Sequence, residues 1–466
     1  MRFMKRTLVL LLLFIGLYGN PLKAQDEMTL DDCIDLALQN RASIIAAHGQ
    51  ATLAKYARLN ALGAFLPRLN AGYDYSKGKQ THRKQDVELV YQEPYIDWEV
   101  IGSDSLKVIR YNVLDTEVKE LEYDDLDLGT SKTLRFSGSM DLINVSSWFD
   151  YASASASKAS AQLNVIASEQ DLIYSVKMYY YALLANVENL TVQEEAVKRA
   201  EEQLKLTQSK YDLGSVSRSD VLKQKVQYGN DQLSLLAARN AVTNSKANLA
   251  YTIGLDPSKD YQFSTRYTTR EFTGTLAEAI EFGLTHKPSL LAMQKNVDSY
   301  KHGYRAAKAN YLPTLSAYGS YSIFSGTLGD TVTYDYSRHT RNYGLSVSYT
   351  IFDGFLRERQ VAQAKVYLNN QKAQLADERN AAVSAIKKAY LNIQQLKEQE
   401  KVSEENVEAA LEDLKITQEK YNLGAAAILE LLDAQVSLKE AQVSLIRADF
   451  DLNLAIAELE NAMGKM

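Results

Sequence analysis

Two periodicities divide the chain. In four stretches the pattern is two: Leu69, Ala71, Tyr73 and Tyr75 alternate with polar residues, and so do Leu134, Phe136, Gly138, Met140 and Leu142. The same alternation returns as Leu315, Ala317, Gly319, Tyr321 and Ile323, then as Tyr343, Leu345, Val347, Tyr349 and Ile351. These stretches predict four strands, each with one apolar and one polar face. Each runs for roughly 10 to 12 residues, against the roughly 9 to 11 that a tilted membrane strand needs. Two readings stand open: ordinary hairpins over a soluble core, or strands with lipid outside and water inside.

Elsewhere the period is helical. Val197, Ala200, Leu204, Thr207 and Tyr211 follow alternating steps of three and four, and Val407, Ala410, Leu414, Thr417 and Tyr421 repeat them position for position. Further on, Leu222, Val226, Leu233 and Leu236 match Leu432, Val436, Val443 and Ile446. Such spacing builds coiled-coil seams. The pattern predicts helices over 42–64, 151–213, 216–253, 288–310, 355–423 and 426–463. At 1.5 Å per residue the run 151–213 would span roughly 93 Å, about the summed length of the two shorter helices of its half.

The chain is also written twice. "MTLDDCIDLALQNRASI" from 28 matches "GTLAEAIEFGLTHKPSL" from 274, and Leu66-Pro67 falls on Leu312-Pro313, both at an offset of 246. "KYDLGSVSRSDVL" from 210 matches "KYNLGAAAILELL" from 420 at an offset of 210, so the first half carries about 36 extra residues. They fall in 81–131, a stretch dense in Asp and Glu. This ordering gives a first repeat over 25–255 with a hairpin at about 67–145, a linker over 256–274, and a second repeat over 275–466 with a hairpin at about 313–352.

Charge and composition narrow the function. Arg2, Lys5 and Arg6, the apolar run from Thr7, and Ala24 read as an export signal over 1–24. Without it, 48 basic residues face 58 acidic ones for a net charge of −10, which argues against a nucleic-acid partner. The single cysteine, Cys33, has no internal disulfide partner and sits on the apolar face of "LDDCIDLAL", where a small buried hydrophobe is expected. His48, His82, His286, His302 and His339 lack metal-ligand spacing. No phosphate loop or nucleophile elbow is present, so no enzyme activity and no cofactor or metal are expected.

Four strands cannot close a membrane barrel, whose minimum is about eight, and open edges in lipid leave backbone groups unpaired. Membrane strands would therefore require several chains, though arithmetic alone does not choose three. The tandem duplication, the two "LPxL" hairpin starts, "YTIFDG" at 349–354 and the paired "KYxLG" turns together resemble the TolC-type outer-membrane efflux channel family. The resemblance implies a mainly α protein with membrane β: a duplicated protomer of long antiparallel helices and two hairpins. Three such chains would form a homotrimer whose 12-stranded β-barrel continues into an α-helical barrel. It further implies residence in outer-membrane lipid, a periplasmic adaptor, and an inner-membrane pump of RND or ABC type. The outlet of a type I protein secretion system is an alternative within the family. A periplasmic coiled-coil scaffold with small soluble β-domains is the alternative of another class.

The resemblance places the paired turns at the periplasmic entrance. Asp220, Glu430 and Asp433 align with the family's acidic entrance residues, with helix-start acids favoured by the macrodipole as the plain alternative. Arg218 and Lys223 are expected donors for closed-state ion pairs. Tyr211 and Tyr421 align with a latch tyrosine, and equally continue the packing seam. Gly214 and Gly424 align with adaptor-docking turns, yet turn geometry alone equally requires glycine there. Ser217 or Ser219 is expected to cap the helix after the first turn. The second turn has no such cap, so that helix start is expected to rest on packing.

Overall fold

A computed structural model describes residues 27–465 apart from 81–82, 102–103, 124–125, 268–270 and 328–335. The expected export signal, 1–24, lies outside them, as does His82. The chain divides into a helical unit (1–59, 149–307 and 358–466) and a strand-bearing unit (60–148 and 308–357), each drawing on both halves of the sequence.

The elements in chain order are α1 (Leu30–Asn40), α2 (Ala42–Gly63), β1 (Arg68–Gln80), β2 (Arg83–Ile101), β3 (Asp104–Tyr123) and β4 (Leu126–Ile143). Next come α3 (Val145–Asp212), α4 (Arg218–Thr252), α5 (Leu276–His286) and α6 (Pro288–Ala309). The chain finishes with β5 (Thr314–Thr327), β6 (Tyr336–Ser348), α7 (Leu356–Asn422) and α8 (Ile428–Met463). The helix α3 starts six residues before the expected 151 because the Asn144 Oδ1 accepts from the Ser147 N–H at 3.4 Å, capping the first turn. The short helices α1 and α5, which the heptad pattern does not single out, each begin with a capping box, Thr29 with Asp32 and Thr275 with Glu278. Hydrogen bonds from Thr29 hold the Asp32 carboxyl below its ordinary pKa.

In the helical unit one apolar core gathers Cys33 and Ala37 of α1, Val176, Tyr180 and Leu183 of α3, and Leu249 of α4. Cys33 is fully buried and burial pushes its thiol up to about 12, so it is an inert apolar filler. The 256–274 segment contributes to this core: Phe263 is buried in it, and Tyr180 donates from its hydroxyl to the Ser264 carbonyl at 2.6 Å. A second core joins α5, α7 and α8 through Ala279, Ile386, Ile393, Ile456 and Leu459.

The strand-bearing unit holds a four-stranded antiparallel sheet in the order β1-β4-β5-β6. Its register places Tyr73 opposite Leu134, Leu134 opposite Ile323, and Ala317 opposite Leu345. Within the paired residues the four alternating apolar sets thus share one face, and that face is open: Leu69, Leu345 and Tyr343 are 80%, 68% and 88% exposed. The strand β6 ends at Ser348, so Tyr349 and Ile351 lie beyond the strand expected to carry them, and Leu142 falls at the slip between Asp141 and Ile143. The opposite face carries Asn70, Asp74, Arg135, Ser137, Ser320 and Asn342. The acidic insertion is itself structured. Residues 83–101 and 104–123 form a two-stranded sheet, β2 with β3, so six strands stand where four were expected. The extra pair escaped the alternation rule because its apolar positions change strand parity at Leu114, where the register slips by one residue.

Candidate functional site

The two reversals have the same backbone. Gly214 and Gly424 adopt φ of +77° and +79°, the left-handed conformation that glycine favours. Ser215 N–H donates to the Lys210 carbonyl and Ala425 N–H to the Lys420 carbonyl, both at 2.8 Å, closing the six-to-one bond of a Schellman motif. Apart from the glycine and its chain neighbours, no atom lies within 4 Å of the place a β-carbon would take at either glycine. The neighbouring Leu213 and Leu423 are 82% and 85% exposed, leaving an apolar side chain on each tip. Their recurrence within the "KYxLG" pair was the signal for them in the sequence.

The helix starts beyond the two turns differ. After the first, Ser217 caps α4: its Oγ accepts from the Asp220 N–H at 3.2 Å, and the Asp220 carboxylate accepts from the Ser217 N–H at 3.0 Å. Of the two serines expected, Ser217 is the cap, and Asp220 completes the box. After the second turn only half the box exists, because Ala427 has no acceptor. Glu430 Oε1 accepts from the Ala427 N–H at 3.2 Å. The remaining anchorage is apolar, with Ile428, Leu431 and Leu432 buried against Tyr421.

The tyrosines differ too. Tyr421 is buried and Tyr211 is 39% exposed. The Lys210 Nζ lies 4.5 Å from the centre of the Tyr421 ring, a cation–π contact, and donates to the Asn422 Oδ1 at 3.5 Å. Lys210 is thus the cation that joins one turn to the other. Arg218 and Lys223, the expected donors, are exposed and have no acidic partner among the described residues, and Asp433 is likewise exposed and unpaired. Lys210 was visible in the sequence only as a repeated turn residue, because its reach to Tyr421 depends on helices far apart in the chain.

Above the turns the helix contacts are polar. Gln418 donates to the Gln203 Oε1 at 3.4 Å, and Thr207 and Gln224 are fully buried. Between α4 and α8 the Lys439 Nζ donates to the Asp231 Oδ1 at 2.8 Å, with Gln227 donating to the other carboxylate oxygen at 3.1 Å. The equivalent apolar stripes also part company. Leu432 and Ile446 of α8 are buried, whereas Leu222, Val226, Leu233 and Leu236 of α4 are all more than half exposed. Among the described residues no three His, Cys, Asp or Glu side chains gather in a metal-binding arrangement. No described helix is long and apolar enough to cross a membrane.

The model of the outer membrane efflux protein family matches residues 33–255 and 280–465. The chain belongs to that family. Outer membrane efflux protein BepC of Brucella suis is 22% identical over 65% of this chain and 65% of its own length. Outer membrane protein TolC of Vibrio cholerae is 24% identical over 76% of this chain and 80% of its own. The matched stretch thus spans just under two thirds of the Brucella protein. Among solved structures, the outer membrane protein VceC of Vibrio cholerae superposes with a TM-score of 0.73 at 17% identity, over 93% of this chain and 96% of that one. The CmeC outer membrane channel of Campylobacter jejuni gives 0.74 at 16% identity, over 94% and 85%. The efflux-protein fold, mainly helical with an antiparallel sheet, is therefore shared across low identity.

Proposed function

We propose that this chain is the outer-membrane channel of a tripartite export system: a homotrimeric, passive duct that receives substrates from an inner-membrane pump through a periplasmic adaptor. The observation that carries the reading is the amphipathic four-stranded sheet. Its apolar face is open, its edges β1 and β6 are unpaired among the described residues, and its opposite face is polar. In water such a face would drive aggregation, and in lipid the open edges would each leave backbone groups unsatisfied. Three copies forming twelve strands remove both costs at once. The exposed stripe on α4 supports the same assembly, since its copy on α8 is covered within the chain and a neighbouring copy can cover this one. A periplasmic scaffold would need that sheet face covered.

In this reading the paired turns form the periplasmic end. Gly214 and Gly424 with exposed Leu213 and Leu423 offer the adaptor small, apolar tips. Asp433, with no partner among the described residues, is the strongest of the acidic aperture candidates; Asp220 and Glu430 lend part of their charge to helix starts. Lys210 against Tyr421 is the cross-turn contact a closed entrance would use. Relatives named for secretion also align, among them alkaline protease secretion protein AprF of Pseudomonas aeruginosa, 22% identical over 63% of this chain. Delivery from a type I system is thus the second reading. Membrane fractionation, native mass spectrometry and planar-bilayer recording test the proposal together. Expected are detergent-dependent extraction, a trimer, and cation-preferring conductance that rises or loses selectivity in Glu430→Ala/Asp433→Ala. A soluble protein without conductance would overturn it.

A further inference from the structure

We propose that the β2–β3 arms of three copies meet through one apolar face on the axis of the barrel, forming a self-associated β cluster beyond the sheet. The inference rests on the trimeric reading above and extends it to a part of the chain the repeat does not contain. At 19 residues, β2 measures about 60 Å at roughly 3.3 Å per residue. A two-stranded ribbon of any length is marginal in water by itself.

The register sorts its side chains. Beyond the slip at Leu114, Gln92 lies opposite Val113, Pro94 opposite Tyr111, Ile96 opposite Ile109 and Trp98 opposite Lys107. Directly opposed residues share a face, so Pro94, Ile96, Trp98, Ile109, Tyr111 and Val113 form one apolar surface, bounded by Gln92 at one end and Lys107 at the other. Trp98, Ile109 and Tyr111 on it are each more than 60% exposed. The other face carries Glu93, Asn112, Tyr95, Arg110 and Asp97, with Arg110 Nε 3.3 Å from the Asp97 carboxylate. It is built for water; the first is not.

Strand parity says where the apolar face looks. Pairing in β1–β4 slips once, between Gly78 and Lys79, where the extra residue lies on β4, and ends with Gln80 opposite Leu126; β2–β3 begins with Arg83 opposite Tyr123, in the register that follows the slip. Even-numbered positions, which bear Asn70, Asp74 and Ser76 on the polar face of the sheet, then bear Pro94, Ile96 and Trp98. In a barrel with lipid outside, the polar face is the inner one. The side that looks at the axis therefore turns from polar to apolar beyond the sheet. A three-fold axis presents the identical face of each copy to the others, so the apolar surfaces cover one another without a further partner.

Bis-maleimide cross-linking of full-length protein in membranes tests this, with Ile96→Cys and Ile109→Cys on the apolar face and Glu93→Cys and Asn112→Cys on the polar one. Native Cys33 is fully buried, so the unaltered chain serves as the blank. Expected is at least fivefold more chain-to-chain product from the apolar-face variants. Equal yields from both faces with the trimer intact on native gels would overturn the cluster and leave the channel reading standing; a monomer would remove both. A Trp148→Phe variant leaves Trp98 as the only tryptophan. Its fluorescence should be insensitive to brominated lipid, and quenching by half or more would overturn the proposal in favour of a membrane-surface arm.

Discussion

Replacing Lys439 with methionine isolates one contact between the two helices that leave the turns. The substitution keeps most of the aliphatic stem and deletes the ammonium that donates to Asp231 at 2.8 Å. The Asp231 side chain is only 6% exposed and that of Lys439 19%, so the Asp231 carboxylate cannot be returned to water without opening α4 from α8. In the variant the Asp231 carboxylate keeps a single amide donor, Gln227. Breaking a buried pair by removing one partner costs about 3–5 kcal/mol, because the surviving charge stays desolvated. Local opening of α4 and α8 should therefore become easier by roughly two to three and a half orders of magnitude. Amide hydrogen exchange of the detergent-solubilised protein reads this directly, in peptides covering 227–235 and 435–443. The double variant Asp231→Asn/Lys439→Met removes both charges and should regain most of the lost protection. Exchange within threefold of the unaltered protein for Lys439→Met, or a double variant as labile as the single one, would refute the reasoning.

Asparagine tolerates the left-handed conformation, so Gly214→Asn/Gly424→Asn adds side chains while keeping the turns, whereas Gly214→Val/Gly424→Val strains them. If the tips dock an adaptor, both variants lose export activity while the asparagine protein keeps its normal thermal stability; export by the asparagine protein would assign the glycines to turn geometry alone. Ala427→Ser supplies the acceptor missing from the second helix start and should stabilise α8 by about 0.5–2 kcal/mol, with Ser217→Ala destabilising α4 by a similar amount, both read by hydrogen exchange. Glu400 of α7 has its pKa raised, first by burial and then by the negative charges of Asp449 and Glu404, with Lys397 opposing. A raised carboxyl pKa means the folded state holds the proton more tightly, so its stability falls as pH rises from the ordinary carboxyl range through the raised value. Glu400→Gln should accordingly raise the thermal midpoint more at pH 8 than at pH 4, and equal shifts at both would contradict this.

Much of the architecture was written in local pattern. Alternation at Leu69–Tyr75 and Tyr343–Val347 and heptads such as Leu432–Ile446 report which side of an element is apolar, and that depends on neighbours a few residues away. Gly214 and Gly424 were legible for the same reason, since a left-handed residue at a helix end is a local demand. Pairing was not local. Whether Leu222 of α4 or its copy Leu432 of α8 is buried depends on which helix lies alongside, and identical heptads give no ranking between them. Lys210 reaching Tyr421, Asp231 meeting Lys439, and β4 joining β5 across the two halves depend on long-range register. The acidic insertion shows the division most sharply. Its composition announced a charged surface, but only the ladder of β2 on β3, with its slip at Leu114, sorted Glu93 and Asp97 to one face and Trp98, Ile109 and Tyr111 to the other. Sequence by itself determined the heptad-bearing helices, the four strands of the sheet and their apolar sides, because backbone periodicity is set residue by residue; tertiary structure decided which of those sides are covered within one chain, because that is fixed by partners hundreds of residues away.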